Sequence, residues 1–200
     1  GINITPPLSG TFDFSQIPVF FTDNINLYYG SSHVKNGTGA IGGSVNLFTD
    51  TDWNRGVNGR VLAEYGSYNT YTVGGQANIS GNKSASKTRL YYQHSDNDYT
   101  YLNKVLTNIP FREKRQDAAY SQFGIMQEGY FRVSPYTRLT AVAWYQKNHR
   151  NLPQPLGVVN RSQEDQEENN FRGYAGLDFS RGIHELHVKA AWLYFCQTYD

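Results

Sequence analysis

Few residues in this 200-residue sequence have the types and spacing that chemistry needs, and those few argue against catalysis. Five His are scattered along the chain; the closest pair, His184 and His187, lie three apart in a segment that alternates like a strand. Their side chains then point to opposite faces and do not form a metal pair. No Ser, His and Asp arrangement follows from the positions, and no carboxylate pair sits in a signalled pocket, so no enzyme activity is expected and no catalytic residue is named. Hard oxygen ligands are more plentiful. The run Glu164, Asp165, Glu167 and Glu168 and the stretch Asp96-Asn97-Asp98 are both expected in long loops, where they could bridge calcium. A like-charge run is more often a solvated loop, so no metal or other cofactor is assigned. Gly37-Thr38-Gly39-Ala40-Ile41-Gly42 fits the G-x-G-x-x-G pattern that cradles pyrophosphate at a helix N-terminus. The next residues are the alternating Gly43-Ser44-Val45-Asn46-Leu47-Phe48 and then Thr49 to Asp52, with no helix on which that site depends. The nucleotide reading is set aside.

Composition narrows the class of scaffold. The formal net charge of +1 gives no basic field, and the aromatics do not interleave with Lys and Arg as a stacking groove requires, so nucleic acid is not an expected partner. A single Cys196 excludes an internal disulfide framework and reads as an apolar filler. Sixteen Tyr, eleven Phe and three Trp accompany 19 Gly, and no stretch approaches the roughly 18 apolar residues of a spanning helix. A helical membrane protein is thereby excluded. A transmembrane β-barrel, whose strands are apolar only at alternate positions, passes the same test, and so does a secreted β-sandwich.

The elements that would position any site are short alternating runs. Tyr71, Val73, Gly75, Ala77 and Ile79 oppose Thr72, Gly74, Gln76, Asn78 and Ser80 between Asn69 and Ser80; Phe171, Ala175, Leu177 and Phe179 oppose Asn170, Arg172, Tyr174 and Asp178 between Asn170 and Ser180. Val57 to Tyr65 is similar, with Leu62 an apolar exception on its polar side. With Thr88–His94, Ser121–Val133, Thr137–Lys147 and Ile183–Phe195, about seven strands are expected. Connections alternate in length. Tight turns are expected at Gly81–Lys87, Ser134–Tyr136 and Arg181–Gly182, long loops at Ser95–Ala119 and Asn148–Asn169, and a short one at Gly66–Tyr68. Tight turns at one end with long loops at the other, strands of about 10 to 13 residues, and aromatics near both ends (Tyr65, Tyr71, Tyr92, Tyr145 and Tyr194; Phe131 and Phe179) are barrel features. Arg60, Glu64, Arg89, Arg132, Arg138 and Lys189 fall on the less apolar sides, which suits a watery lumen or a plug contact.

Tyr28-Tyr29-Gly30-Ser31-Ser32 and the Gly37 to Leu47 stretch resemble the end of the plug domain of TonB-dependent outer-membrane transporters, where a yGs turn leads into GsGAiGGxiNi and the first barrel strand. Ile17-Pro18-Val19 and Asp23-Asn24-Ile25-Asn26-Leu27 resemble the stretch before that turn. The motif covers Ile17 to Phe48 and the pattern covers the chain. Its plug-end positions are Tyr29, Gly30, Gly37, Gly39, Ala40, Ile41, Gly42, Gly43 and Asn46. The resemblance implies an all-β chain: residues 1–54 as the C-terminal part of a plug, and 55–200 as the first strands of a transmembrane antiparallel barrel of about 22 strands. Seven strands cannot close that wall, so the N-terminus, the signal peptide, the TonB-contacting box and the remaining strands are expected to lie outside the sequence. It further implies a bacterial outer-membrane receptor that takes up a scarce bulky nutrient. The plug end most resembles the cobalamin-receptor branch, with ferric siderophores as the alternative ligand and a binding or adhesion barrel without gated transport as the alternative class. The implied partners are the inner-membrane TonB complex, outer-membrane lipid and the nutrient, with a surface lipoprotein as a further candidate. Ligand contact is expected at an outward plug apex, Asn3, Thr5, Pro6, Leu8 and Ser9, and in the long loops at Tyr99, Tyr101, His149 and Arg150.

Overall fold

In a computed structural model, which describes residues 4, 14–29, 43–105, 109–156 and 163–200, the alternating runs become strands and pair with their chain neighbours. Two 3-10 turns, Phe14–Gln16 and Val19–Phe21, precede a hairpin of β1 (Asn24–Tyr29) and β2 (Gly43–Phe48). Next along the chain come β3 (Gly56–Gly66), β4 (Thr70–Ser80), β5 (Ser84–Ser95), a small hairpin of β6 (Thr100–Asn103) and β7 (Phe111–Lys114), β8 (Tyr120–Ser134), β9 (Thr137–Leu152), β10 (Glu164–Arg181) and β11 (His184–Tyr199). Seven of these form one antiparallel sheet in the order β11-β10-β9-β8-β5-β4-β3. Its two edges, β3 and β11, do not pair with one another, so the sheet is open. The expected seven strands are present. No described helix is long and apolar enough to cross a membrane, a statement that concerns helices alone.

The turns have local causes. Between β3 and β4 the chain reverses through Tyr68 and Asn69, both at positive φ (59° and 52°), and the Thr70 N–H and hydroxyl both donate to the Ser67 carbonyl. Two successive left-handed residues match the twist of the flanking strands. Gly182, at φ 63°, closes the β10–β11 turn, where a side chain would be strained.

Three expected boundaries are corrected. The turn expected at Gly81–Lys87 shrinks to 81–83, because β5 begins at Ser84 and Ala85 pairs with Ser80. Ser84, Ser86 and Thr88 share a face with Leu90 but are polar, so hydrophobic period fails there while the backbone ladder continues. The long loop expected at Ser95–Ala119 contains the β6–β7 hairpin. The acidic run, expected in a loop, is the start of β10, where Glu167 pairs with His149 and Asp165 with Asn151. Lys147 to Glu167 at 2.8 Å rewards opposite charges placed diagonally across the ladder, and His149 lies 2.7 Å from Asp165 on the same face.

One face of the sheet is covered and the other is bare. Ile17, Phe20 and Phe21 from the 3-10 segment pack on Tyr91, Met126 and Trp144 of β5, β8 and β9, with Leu62 and Val142 at the margin. Leu62, the apolar exception, belongs to this cluster. Phe21 meets Tyr91 and Trp144 edge-on, at centroid distances of 6.1 and 5.8 Å, an arrangement the aromatic quadrupole favours. Gly124 makes room for it: a Cβ there would lie 2.8 Å from the Phe21 ring. Around this small apolar patch the covered face is polar and buried, as at Arg89, Glu128, Gln146 and Asn170. The bare face carries Val61, Val73, Ile125, Phe131, Val188 and Trp192, all exposed.

Candidate functional site

The strongest convergence of charge lies where the segment before β1 and the residues just after β2 meet the covered face. Lys87 and Arg89 are two apart on β5, so the pleat sends both to the same side, and Glu128 on β8 faces them. Arg89 and Glu128 are fully buried. Arg89 Nη1 donates to Glu128 Oε2 at 2.8 Å and to the Phe21 carbonyl at 3.1 Å, while its Nε donates to Gln76 Oε1 at 3.0 Å. Its remaining nitrogen, Nη2, meets Asp23 Oδ2 at 2.6 Å, and Lys87 Nζ meets the same oxygen at 2.9 Å. Lys87 also donates to the Asp50 carbonyl, and the Asp50 N–H donates to Asp23. On the far side, the Tyr130 hydroxyl donates to Glu128 Oε1 at 3.0 Å and lies 3.1 Å from the Thr49 hydroxyl.

The cluster pairs every cation with an acceptor. Isolated burial of these ions would be prohibitive, and pairing plus hydrogen bonding offsets it. Burial works to raise the Asp23 carboxyl, but the Lys87 ammonium, the Asp50 N–H and the Arg89 guanidinium outweigh it and hold the carboxyl down at about 2. Two cations and one anion of the sheet leave an excess positive charge, which Asp23 neutralises.

Toward the long-connection end, Gln122 and Gln146 both donate to the Gln16 carbonyl, and Gln16 Nε2 donates to Glu168 at 3.3 Å. Arg60 reaches the Phe20 carbonyl at 3.4 Å and stacks over its ring at 4.6 Å. Main-chain carbonyls at residues 16, 20 and 21 thus add to the grip of the Asp23, Phe20 and Phe21 side chains. The cover extends from β3 to β10. Glu185, His187 and Lys189, on the same face of β11, are exposed.

The expected contact residues are only partly brought together. Asn3, Thr5, Pro6, Leu8 and Ser9, and Gly30, Gly37, Gly39, Ala40, Ile41 and Gly42 of the glycine-rich motif, lie outside the described residues. Tyr29 and Gly43 are register partners closing the β1–β2 hairpin, and Asn46 pairs with Asn26. Tyr99 meets Tyr68 and Tyr101 edge-on, and the Tyr101 hydroxyl donates to Glu113 at 3.1 Å, so both belong to the β6–β7 hairpin and its foot. His149 and Arg150, expected in a loop, are in β9; adjacent strand residues face opposite ways, so the two cannot grip one ligand together. His149 is on the bare face with Asp165. Among the described residues no group of three or more His, Cys, Asp and Glu is arranged to hold a metal. A polar cavity of about 810 Å³ does open at this end, lined by Asp96, Asp98, Arg115, Asp117, Asn151 and Gln163 among others. It could take a hydrated polar group.

Sequence reasoning missed Asp23, Lys87 and Glu128, and placed Arg89 only on the less apolar side of its strand. The available signal was charge in mid-strand on the face opposite the apolar one, at Lys87, Arg89 and Glu128. No protein-family model matches the chain, and no curated protein matches it.

Proposed function

We propose that the chain is the plug-to-wall junction of a TonB-dependent outer-membrane transporter, a plugged barrel of about 22 strands. The observation that carries the reading is the inverted sheet: its charged and amide face is buried under the preceding segment, and its apolar face is bare. A face of Val, Ile, Phe, Trp and Tyr is costly in water and stable against acyl chains. From Phe171 to Phe179 the bare-face positions span eight residue steps, roughly 26 Å of strand at about 3.3 Å per residue, matching an apolar band about 25 Å tall. Beyond that band the same face turns to Lys147, His149, Asp165 and Glu167, which suits a headgroup or aqueous zone. The outer membrane is the compartment that this arrangement fits, with tight turns on the periplasmic side and the β6–β7 hairpin outside.

Function within that class is uptake of a scarce bulky nutrient, energised through the inner-membrane TonB complex. Cobalamin is the first substrate to test and ferric siderophores the second. Deleting the gene and following labelled cobalamin into cells is expected to abolish uptake, with recovery on complementation. Unchanged uptake removes cobalamin, and the same strain given labelled ferric siderophores then tests the alternative. Uptake of both classes without change would leave a binding barrel with no gated transport.

A further inference from the structure

We infer that Lys87 and Arg89 form an anion subsite on the wall of the lumen, which Asp23 fills while the segment is docked and which takes a carboxylate or phosphate group when the segment leaves. The inference rests on the transport reading for when the site opens, but the site itself follows from geometry. The acceptors that Lys87 meets, Asp23 Oδ2 and the Asp50 carbonyl, both belong to the docked segments. Arg89 divides its nitrogens differently: Nη1 and Nε keep Glu128 and Gln76, both on the wall, whereas Nη2 is directed at Asp23. Departure of residues 20–23 and 49–50 would therefore strip both acceptors from Lys87 and the Nη2 partner from Arg89. Glu128, held by Arg89 on one oxygen and by Tyr130 on the other, is then the single carboxylate left against two cations, so the vacated site keeps an excess positive charge. Two cationic heads that converge on a single carboxylate oxygen, at 2.9 and 2.6 Å, are preorganised for another one.

The Asp23 carboxylate thus stands in for an anionic group of the ligand, or for free phosphate. Competition between them couples ligand passage to release of the segment, since one anion must leave before another binds.

The test uses the intact protein in detergent at pH 7, with Asp23→Ala and acetate or inorganic phosphate as the probe. The variant is expected to melt lower than the parent and to recover about 4 °C as acetate or phosphate saturates at millimolar concentration, while sodium chloride of equal ionic strength does nothing. The parent protein should not respond, and Lys87→Met added to Asp23→Ala should remove the rescue. An unsaturable response, or equal responses in parent and variant, overturns the site. If Asp23→Ala does not fold, Asp23→Ser, which also vacates the carboxylate's place, is read the same way. Acetate rescue without phosphate rescue restricts the site to carboxylates. Rescue together with unchanged nutrient uptake in the deletion strain would retain the anion site and remove the transport reading, so the two fail separately.

Discussion

The two faces of the seven-stranded sheet obey opposite rules. On the bare face Val61 is 85 % exposed and Trp192 66 %, whereas on the covered face Arg89 and Glu128 are both at 0 %. A sheet in water buries its apolar face and solvates its polar one, because each buried ion costs several kcal/mol unless paired. Here the ions are buried and the aliphatics are not. On the proposed reading the two faces have different solvents: one a protein segment that offers carbonyl acceptors and the Asp23 carboxylate, the other an apolar medium. Strand pairing is identical on both, so the inversion resides entirely in side chains.

The largest test of the covered face is Arg89→Met, which leaves Glu128 buried without its cation and removes a donor from the Phe21 carbonyl. Breaking a buried pair from one side costs about 3–5 kcal/mol, and urea titration of the protein refolded into vesicles should show a loss of that size. A loss below about 1 kcal/mol would mean that the covered face is wetter than its packing indicates. The bare face is tested next by Ala175→Arg. Ala175 is exposed, central in the apolar band, and flanked in register by Ala141 and Ala190, so steric clash is minor. In water the change would fall within about 0.5 kcal/mol, but against acyl chains it should cost about 2–4 kcal/mol. Equal stabilities in the vesicle titration would sink the lipid-facing assignment.

How far these faces were legible in the sequence depends on distance along the chain. Alternation is local, so Thr70–Ser80 and the core of β10 were readable, as was the side on which Arg60 and Arg89 fall. Strand ends were not, because β9 and β10 continue past the apolar band to Leu152 and from Glu164, where both faces are polar and period carries no signal. The ion cluster was invisible for a different reason. Asp23 and Arg89 are separated by 66 positions, and Gln16 and Glu168 by 152, so no spacing rule links them. Nothing in the alternation of Ser121–Val133 singles out Gly124, yet its missing Cβ is what admits Phe21.

That glycine supplies the third test of how the faces differ. In Gly124→Ala the new methyl would sit 2.8 and 2.9 Å from two Phe21 ring carbons, and the ring is wedged between Tyr91 and Trp144. The expected cost is about 1–3 kcal/mol, expressed as undocking of the segment and faster chymotrypsin cleavage at Phe20 and Phe21, with the sheet itself intact. Gly173→Ala is the control on the bare face, where the nearest contact, 3.2 Å, is the ring of Phe171 on the same strand. It should leave the cleavage rate unchanged. Equal cleavage of both variants and the parent would mean that Phe21 does not hold the segment.

The smallest effect separates the faces by pH. Asp23 falls from its ordinary 3.8 to about 2 on folding, because it must stay ionised between Lys87 and Arg89. A carboxyl whose folded value is depressed contributes stability that is fully present above the unfolded value and lost as pH falls through the folded one. The window is therefore about pH 4 down to about 2. The full shift corresponds to about 2 kcal/mol, and the water still touching the side chain, 20 % exposed, brings the expected loss to about 1–2 kcal/mol. Protonation should release the covered-face contacts while the apolar band of the bare face, outside which Asp165 and Glu167 lie, keeps the contacts with lipid that the proposed reading gives it. Chymotrypsin-independent readout is needed at this acidity, so docking is best followed by Trp144 fluorescence with Trp53 and Trp192 replaced by Phe. The parent should show a transition in this window that Asp23→Asn lacks, the variant resembling the acid form at every pH. A transition of the same midpoint and amplitude in Asp23→Asn would assign the acid sensitivity to a different carboxyl and detach Asp23 from the docking of the segment.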